Sequence, residues 1–152
     1  MEAFFGQLGL ALALGLGATG SALGIGAAGR AAAGAWAKEA KAGKTLTFSY
    51  IILLGMPLSQ TIYAFIFMLA LGGLVYDTNV LQANGGALLS VGLAAGLAEL
   101  FSAWMQGRIG ASAVRALSEG EGKGFVFMII AMGIAETVGL FGFVFPLLVM
   151  PK

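Results

Sequence analysis

The stretch FVFMIIAMGIAETVGLFGFVFPLLVM, Phe125–Met150, decides how the chain is read. It is long and apolar enough to cross a bilayer, and its single charge, Glu136, lies close to its middle. At ~1.5 Å of rise per residue, Glu136 falls about 16 Å into the helix, near the midplane of a ~30 Å hydrocarbon layer. A carboxylate there costs ~2.5–3.5 kcal/mol even on lenient insertion scales, so it calls for a functional explanation. The bland alternative is a protonated glutamate that makes one helix–helix hydrogen bond.

Composition agrees with a membrane setting. The chain has 152 residues, 59% of them hydrophobic and only 10% charged, against ~25% charged in soluble domains. A net charge of +1 without a basic stripe gives no reason to expect nucleic acid. The absence of Cys and His removes disulfide scaffolds, thiolate catalysis, zinc sites and imidazole bases together. Glycine is abundant (25 residues), and no collagen period or Gly/Ser linker accounts for it. Tightly packed membrane helices do.

Four apolar spans follow one another, near Ala3–Trp36, Phe48–Tyr76, Ala87–Leu117 and Phe125–Met150. The first is expected to be a retained helix, because it lacks the basic start and short apolar run of a signal peptide. The separators AKEAKAGKT, DTNVLQANGG and SEGEGKG are short, charged or rich in turn residues, so neighbouring helices should run antiparallel. No strand-like alternation is present, which excludes a barrel. Arg30, Lys38, Lys41 and Lys44 flank the first connection, and Arg108, Arg115 and Lys123 flank the third. The positive-inside rule therefore places connections one and three in the cytoplasm and both termini outside.

The two halves, 1–78 and 79–152, repeat one layout. Gly24–Arg30 echoes Met105–Ala111, and each leads into a basic hairpin and a second helix. The expected fold is an all-α membrane protein of four transmembrane helices in two duplicated hairpins, forming one structural unit. Both hairpins point the same way, unlike an inverted transporter repeat.

Gly15-x-Gly17-x-x-Gly20 and Gly24-x-Gly26-x-x-Gly29 match a dinucleotide fingerprint as text, but the strand and βαβ unit it requires are missing. Gly20 and Gly24 instead stand at GxxxG spacing, which lets helix backbones approach closely and fits the crowded inner circle of a ring.

In the second span, Ser59, Gln60 and Tyr63 share a helix face, with Met56 a turn earlier. Pro57 removes a backbone donor and bends the helix, loosening local carbonyls. Polar oxygens beside weakened backbone bonding are the ingredients of a cation site, although such groups also serve as interhelical glue. In the third span, Gln106 offers a carbonyl oxygen to a cation and an amide to a carboxylate. Glu99, seven residues earlier on the same face, is open to three readings: a protonated acid, a carboxylate wetted from the outer side, or an auxiliary ion group. One carboxylate among several neutral oxygens suits a desolvated monovalent cation better than Mg²⁺ or Ca²⁺. A proton would need only Glu136, so the extra oxygens favour Na⁺, with H⁺ as the alternative.

Taken together, the Gly-rich first helix, P-x-S-Q-x-x-Y in the second, Q-G-R in the third and A-E-T in the fourth resemble the proteolipid (subunit K) of V-type ATPases. The likeness is nearest to the sodium-pumping bacterial form and covers essentially the whole chain. It implies a homo-oligomeric rotor ring that carries one Na⁺ per subunit across the membrane, coupled to ATP hydrolysis or synthesis in a separate soluble head. Glu136 would be the essential ion-binding carboxylate, with Gln106, Gln60 and Ser59 (where Thr is familiar) supplying side-chain oxygens and Met56 a backbone carbonyl. Tyr63 would hydrogen-bond Glu136 and close the site. Glu99 departs from the pattern. Implied partners are a stator membrane subunit supplying an Arg, central-stalk subunits at the cytoplasmic hairpins, and lipids. No nucleotide would bind this chain, and it would not be an enzyme by itself. A bacterial plasma membrane is the implied location. A small cation channel or secondary transporter, and a purely structural membrane protein, are the alternatives from other classes.

Overall fold

A computed structural model describes residues 1–151 of the chain. Helix α1 spans Glu2–Lys41. The second crossing comprises α2 (Ser49–Gly55), a 3₁₀ turn (Met56–Leu58) and α3 (Ser59–Val75), and α4 (Thr78–Glu119) and α5 (Phe125–Leu148) complete the bundle. All four crossings are long and apolar enough to span a membrane. The protein is an all-helical integral membrane protein, as the sequence leads one to expect.

The helix boundaries differ from those expected in two places. The first connection is shorter than AKEAKAGKT suggests, because α1 continues to Lys41. The segment DTNVLQANGG is not a loop: helix α4 begins at Thr78. Asp77 makes this possible by accepting from the Asn79 and Val80 amides, at 2.9 and 3.2 Å, and so capping the first turn. The turn signal in Asn-Gly-Gly survives only as a break inside the helix, where Asn84 leaves helical geometry at φ −132°, ψ 17°.

Helices α1 and α4 form the spine. Buried positions on α1 recur every three or four residues and are almost all small: Gly6, Gly9, Ala13, Gly17, Gly20, Gly24, Ala28 and Ala32. The α4 face answers with Gly85, Gly92, Gly96, Gly107 and Gly110. A side chain on Gly92 would strike the Gly9 backbone, and one on Gly107 would strike Gly24. These approaches rise in step along both helices, so α1 and α4 run parallel, as expected for two hairpins pointing the same way. The GxxxG reading of Gly20 and Gly24 is realised here, backbone against backbone.

The other two crossings flank the spine. Between Gly55 and Ser59 the helix tightens into the 3₁₀ turn around Pro57, whose ring packs against Gly24 of α1. Helix α5 is the least enclosed element, with only Met132 and Gly139 buried. Val126, Phe127, Ile130, Ile134 and Val138 lie open on its outer side, a surface suited to lipid or to a neighbouring copy. At the end carrying the basic hairpins, Glu39 ties the first connection down. It accepts from the Thr47 amide (2.9 Å), the Thr47 hydroxyl (2.7 Å) and the Tyr50 hydroxyl (2.9 Å).

Candidate functional site

Midway along the bundle, polar groups from α3, α4 and α5 converge. Glu136 on α5 is half-buried, and both its oxygens are engaged. Tyr63 donates to Oε1 from α3 at 3.1 Å, and Gln106 donates through Nε2 to Oε2 from α4 at 3.2 Å. The same Gln106 amide also reaches the Met132 carbonyl at 3.2 Å, which fixes its orientation. With Nε2 turned to α5, the Gln106 Oε1 is left buried with no donor. Tyr63 is braced by Phe143, its ring stacked at 5.9 Å between centroids.

A second polar group grows out of the Pro57 irregularity. The Ser59 hydroxyl lies 3.0 Å from the Met56 carbonyl oxygen and 3.1 Å from Gln60 Oε1. Three neutral oxygens therefore sit together beside a stretch of helix where proline has removed one backbone donor. Gln60 is fully buried, and its Nε2 donates 3.1 Å to Ser102 Oγ on α4. Ser102 in turn donates 2.8 Å to the Ala135 carbonyl, next to Glu136 on α5.

The residues singled out from the sequence thus fall into two linked groups. Tyr63, Gln106 and Glu136 meet directly. Met56, Ser59 and Gln60 meet directly and reach α5 through Ser102. Ser102 is not among the residues that the sequence singles out, although a signal exists: it stands three residues after Glu99 and four before Gln106, on one face of α4. Glu99 joins neither group. It is fully buried, and neither of its oxygens has a hydrogen-bond partner.

The arrangement sets one half-buried carboxylate between a tyrosine and a glutamine donor and links it, through Ser102, to a group of neutral oxygens on the second crossing. The model of the ATP synthase C-subunit family matches residues 8–71 and again residues 89–149. The chain belongs to this family. No curated protein matches it. The C-subunit proteolipid is a non-catalytic, ion-translocating membrane component of a homo-oligomeric rotor ring. The match in two separate segments accords with the duplicated hairpin seen in the fold.

Proposed function

We propose that this C-subunit proteolipid is the rotor component of a V-type rotary ATPase and that each copy carries one Na⁺ through Glu136. The observation that carries the reading is the cluster of neutral oxygens linked through Ser102 to the helix that bears the carboxylate. The Met56 carbonyl and Gln60 Oε1 lie within 3.1 Å of the Ser59 hydroxyl, and Gln106 Oε1 is buried without a donor. In a proton-only site Gln106 Oε1 has no donor at membrane depth, where an unsatisfied polar group is costly, and the single Ser59 proton serves the Met56 carbonyl or Gln60 Oε1 only one at a time. Na⁺ would use these oxygens.

In this reading Tyr63 and Gln106 hold the Glu136 carboxylate in place, and Gln60, anchored by Ser102, turns its oxygen toward the cation. The occupied site is neutral, so it can face lipid while the ring turns. At the stator, an Arg of the membrane partner would compete for Glu136, which is reachable because it is only half-buried, and release the ion. Moving one charge against 100 mV costs ~2.3 kcal/mol, supplied by ATP hydrolysis in the head or returned to it in synthesis. The two hairpins, 1–78 and 79–152, carry one site between them, since Gln60 occupies in the first hairpin the place that Glu136 takes in the second. The basic connections would face the cytoplasm of a bacterial cell and meet the central stalk there.

A hydrophobic carbodiimide attacks the protonated acid and tests the assignment. Labelling of Glu136 should be suppressed by millimolar Na⁺ and untouched by K⁺. Labelling that ignores Na⁺ would transfer the site to H⁺. ATP-driven Na⁺ transport by the assembled complex should vanish in Glu136→Gln; retained transport would refute the mechanism.

A further inference from the structure

Glu99 is the one intramembrane charge for which the site above has no use. It lies on α4 between two glycines contributed by other helices. The position of a side chain on Gly17 of α1 is 3.3 Å from Glu99 Cβ, and on Gly139 of α5 it is 2.7 Å from Glu99 Oε2. An alanine at position 139 would crowd both the Glu99 carboxyl and the Ser102 side chain, so glycine there leaves room for the two. Yet Glu99 is fully buried and both oxygens lack a donor. An ionised carboxylate in such a place would have neither water nor hydrogen bonds nor a counter-charge to stabilise it.

No basic side chain can provide that counter-charge. Helix α1 has no charged residue between Glu2 and Arg30, and the second crossing has none at all. On α4 the only charged residue between Asp77 and Arg108 is Glu99, and on α5 it is Glu136. The titratable groups nearest in the fold are thus Glu136, one helical turn from the Gly139 that Glu99 packs against, and Tyr63, which donates to Glu136. Two neighbouring carboxyls resist being ionised together. Of the two, Glu99 is the one that is fully buried with no donor on either oxygen.

The two pockets differ in what they can hold. Neutral oxygens gather at Ser59, Gln60 and Met56, whereas the side-chain oxygen placed with Glu99 beside Gly139 is that of Ser102. Ser102 is already committed to Gln60 and Ala135. A metal ion needs several oxygen ligands, and a proton needs one.

We propose that Glu99 is a second cation-binding carboxyl in each copy of the chain, that its cation is a proton, and that this proton stays while Glu136 exchanges its ion. The proposal rests on the ion-carrying reading of Glu136 and adds a second occupant. Each copy then holds two monovalent cations and delivers one.

Infrared spectroscopy of purified rings near neutral pH tests it. A ring carrying Glu136→Gln should retain the C=O stretch of a protonated carboxyl, equal in NaCl and KCl, and the double variant Glu99→Gln/Glu136→Gln should lose it. Absence of the band in the single variant would mean that Glu99 is ionised, and its disappearance on adding Na⁺ would mean that Glu99 binds the metal; either overturns the proposal. If the double variant does not assemble, ¹³C-glutamate NMR of the single-variant ring reads the same protonation from the carboxyl shift. Failure of the Glu136 reading shows itself elsewhere, as a wild-type band from Glu136 that does not respond to Na⁺, and leaves the Glu99 result intact.

Discussion

Glu136 takes a hydrogen bond on each oxygen, from a tyrosine hydroxyl on one side and a glutamine amide on the other, and the two donors have different duties. Gln106 is anchored a second time on Met132, so it fixes the carboxylate from within the bundle. Tyr63 is half-buried and stacked on Phe143, and so holds the carboxylate from the more open side. Replacing Tyr63 with Phe removes one hydrogen bond to a charged group, worth ~1.5 kcal/mol at the lower end of its range. Under the sodium reading, Tyr63→Phe should weaken Na⁺ binding to the ring roughly tenfold, measured by protection against carbodiimide labelling, while ring assembly is unchanged. The members of this site were legible in the sequence because a midplane charge and polar residues in apolar helices are conspicuous. Their wiring was not. No spacing rule says that Gln60 points its amide at Ser102 and keeps its oxygen for Ser59, since that depends on how three helices meet. Ser102 does not stand out because serine is unremarkable in a membrane helix until a neighbour reaches for it.

At the scale of the element, local chemistry sets the ends and the irregularities. Asp77 converts a turn-rich segment into the start of α4 by capping two amides. Asn84-Gly85-Gly86 is a strong turn signal and predicts a loop there; the cap and the packing of Gly85 against the Glu2 backbone override it. Asp77→Ala should cost about 1 kcal/mol and raise amide hydrogen exchange over residues 78–84, leaving the rest of α4 protected. Glu39 plays a comparable part at the opposite end, collecting the amide and hydroxyl of Thr47 and the hydroxyl of Tyr50. With Glu39→Ala those three donors lose their acceptor, and the connection 42–48 should become cleavable by protease in reconstituted vesicles. Intact protection would show that the loop is held by Trp36, whose indole also reaches the Thr47 carbonyl at 2.9 Å.

For the molecule as a whole, the distribution of basic residues and of glycine carries most of the architecture. Four crossings, parallel halves and a small-residue spine could all be read from the chain, because hydropathy and helix periodicity are one-dimensional signals. The enclosure of α5 could not, since its open face depends on what lies beside it. The orientation inferred from Lys and Arg is open to a direct test, because the native chain has no cysteine. A cysteine at Thr45 should react with an impermeant thiol reagent only from the cytoplasmic side, and one at Asn79 only from the opposite side; the reverse pattern would invert the topology.

The seam between α1 and α4 also bears on how a rotor handles load. Where Gly24 meets Gly107 and Gly9 meets Gly92, main chain touches main chain, and no side-chain rotamers intervene to yield. Such a joint is stiff in shear, so the two helices act as a single spar. Under the sodium reading, elastic give would fall to the 3₁₀ turn at Met56–Leu58 and to the thinly packed α5, the two elements that carry Met56 and Glu136. Torque would travel along the spar with little loss, while the compliance that smooths each step is kept beside the ion that triggers it.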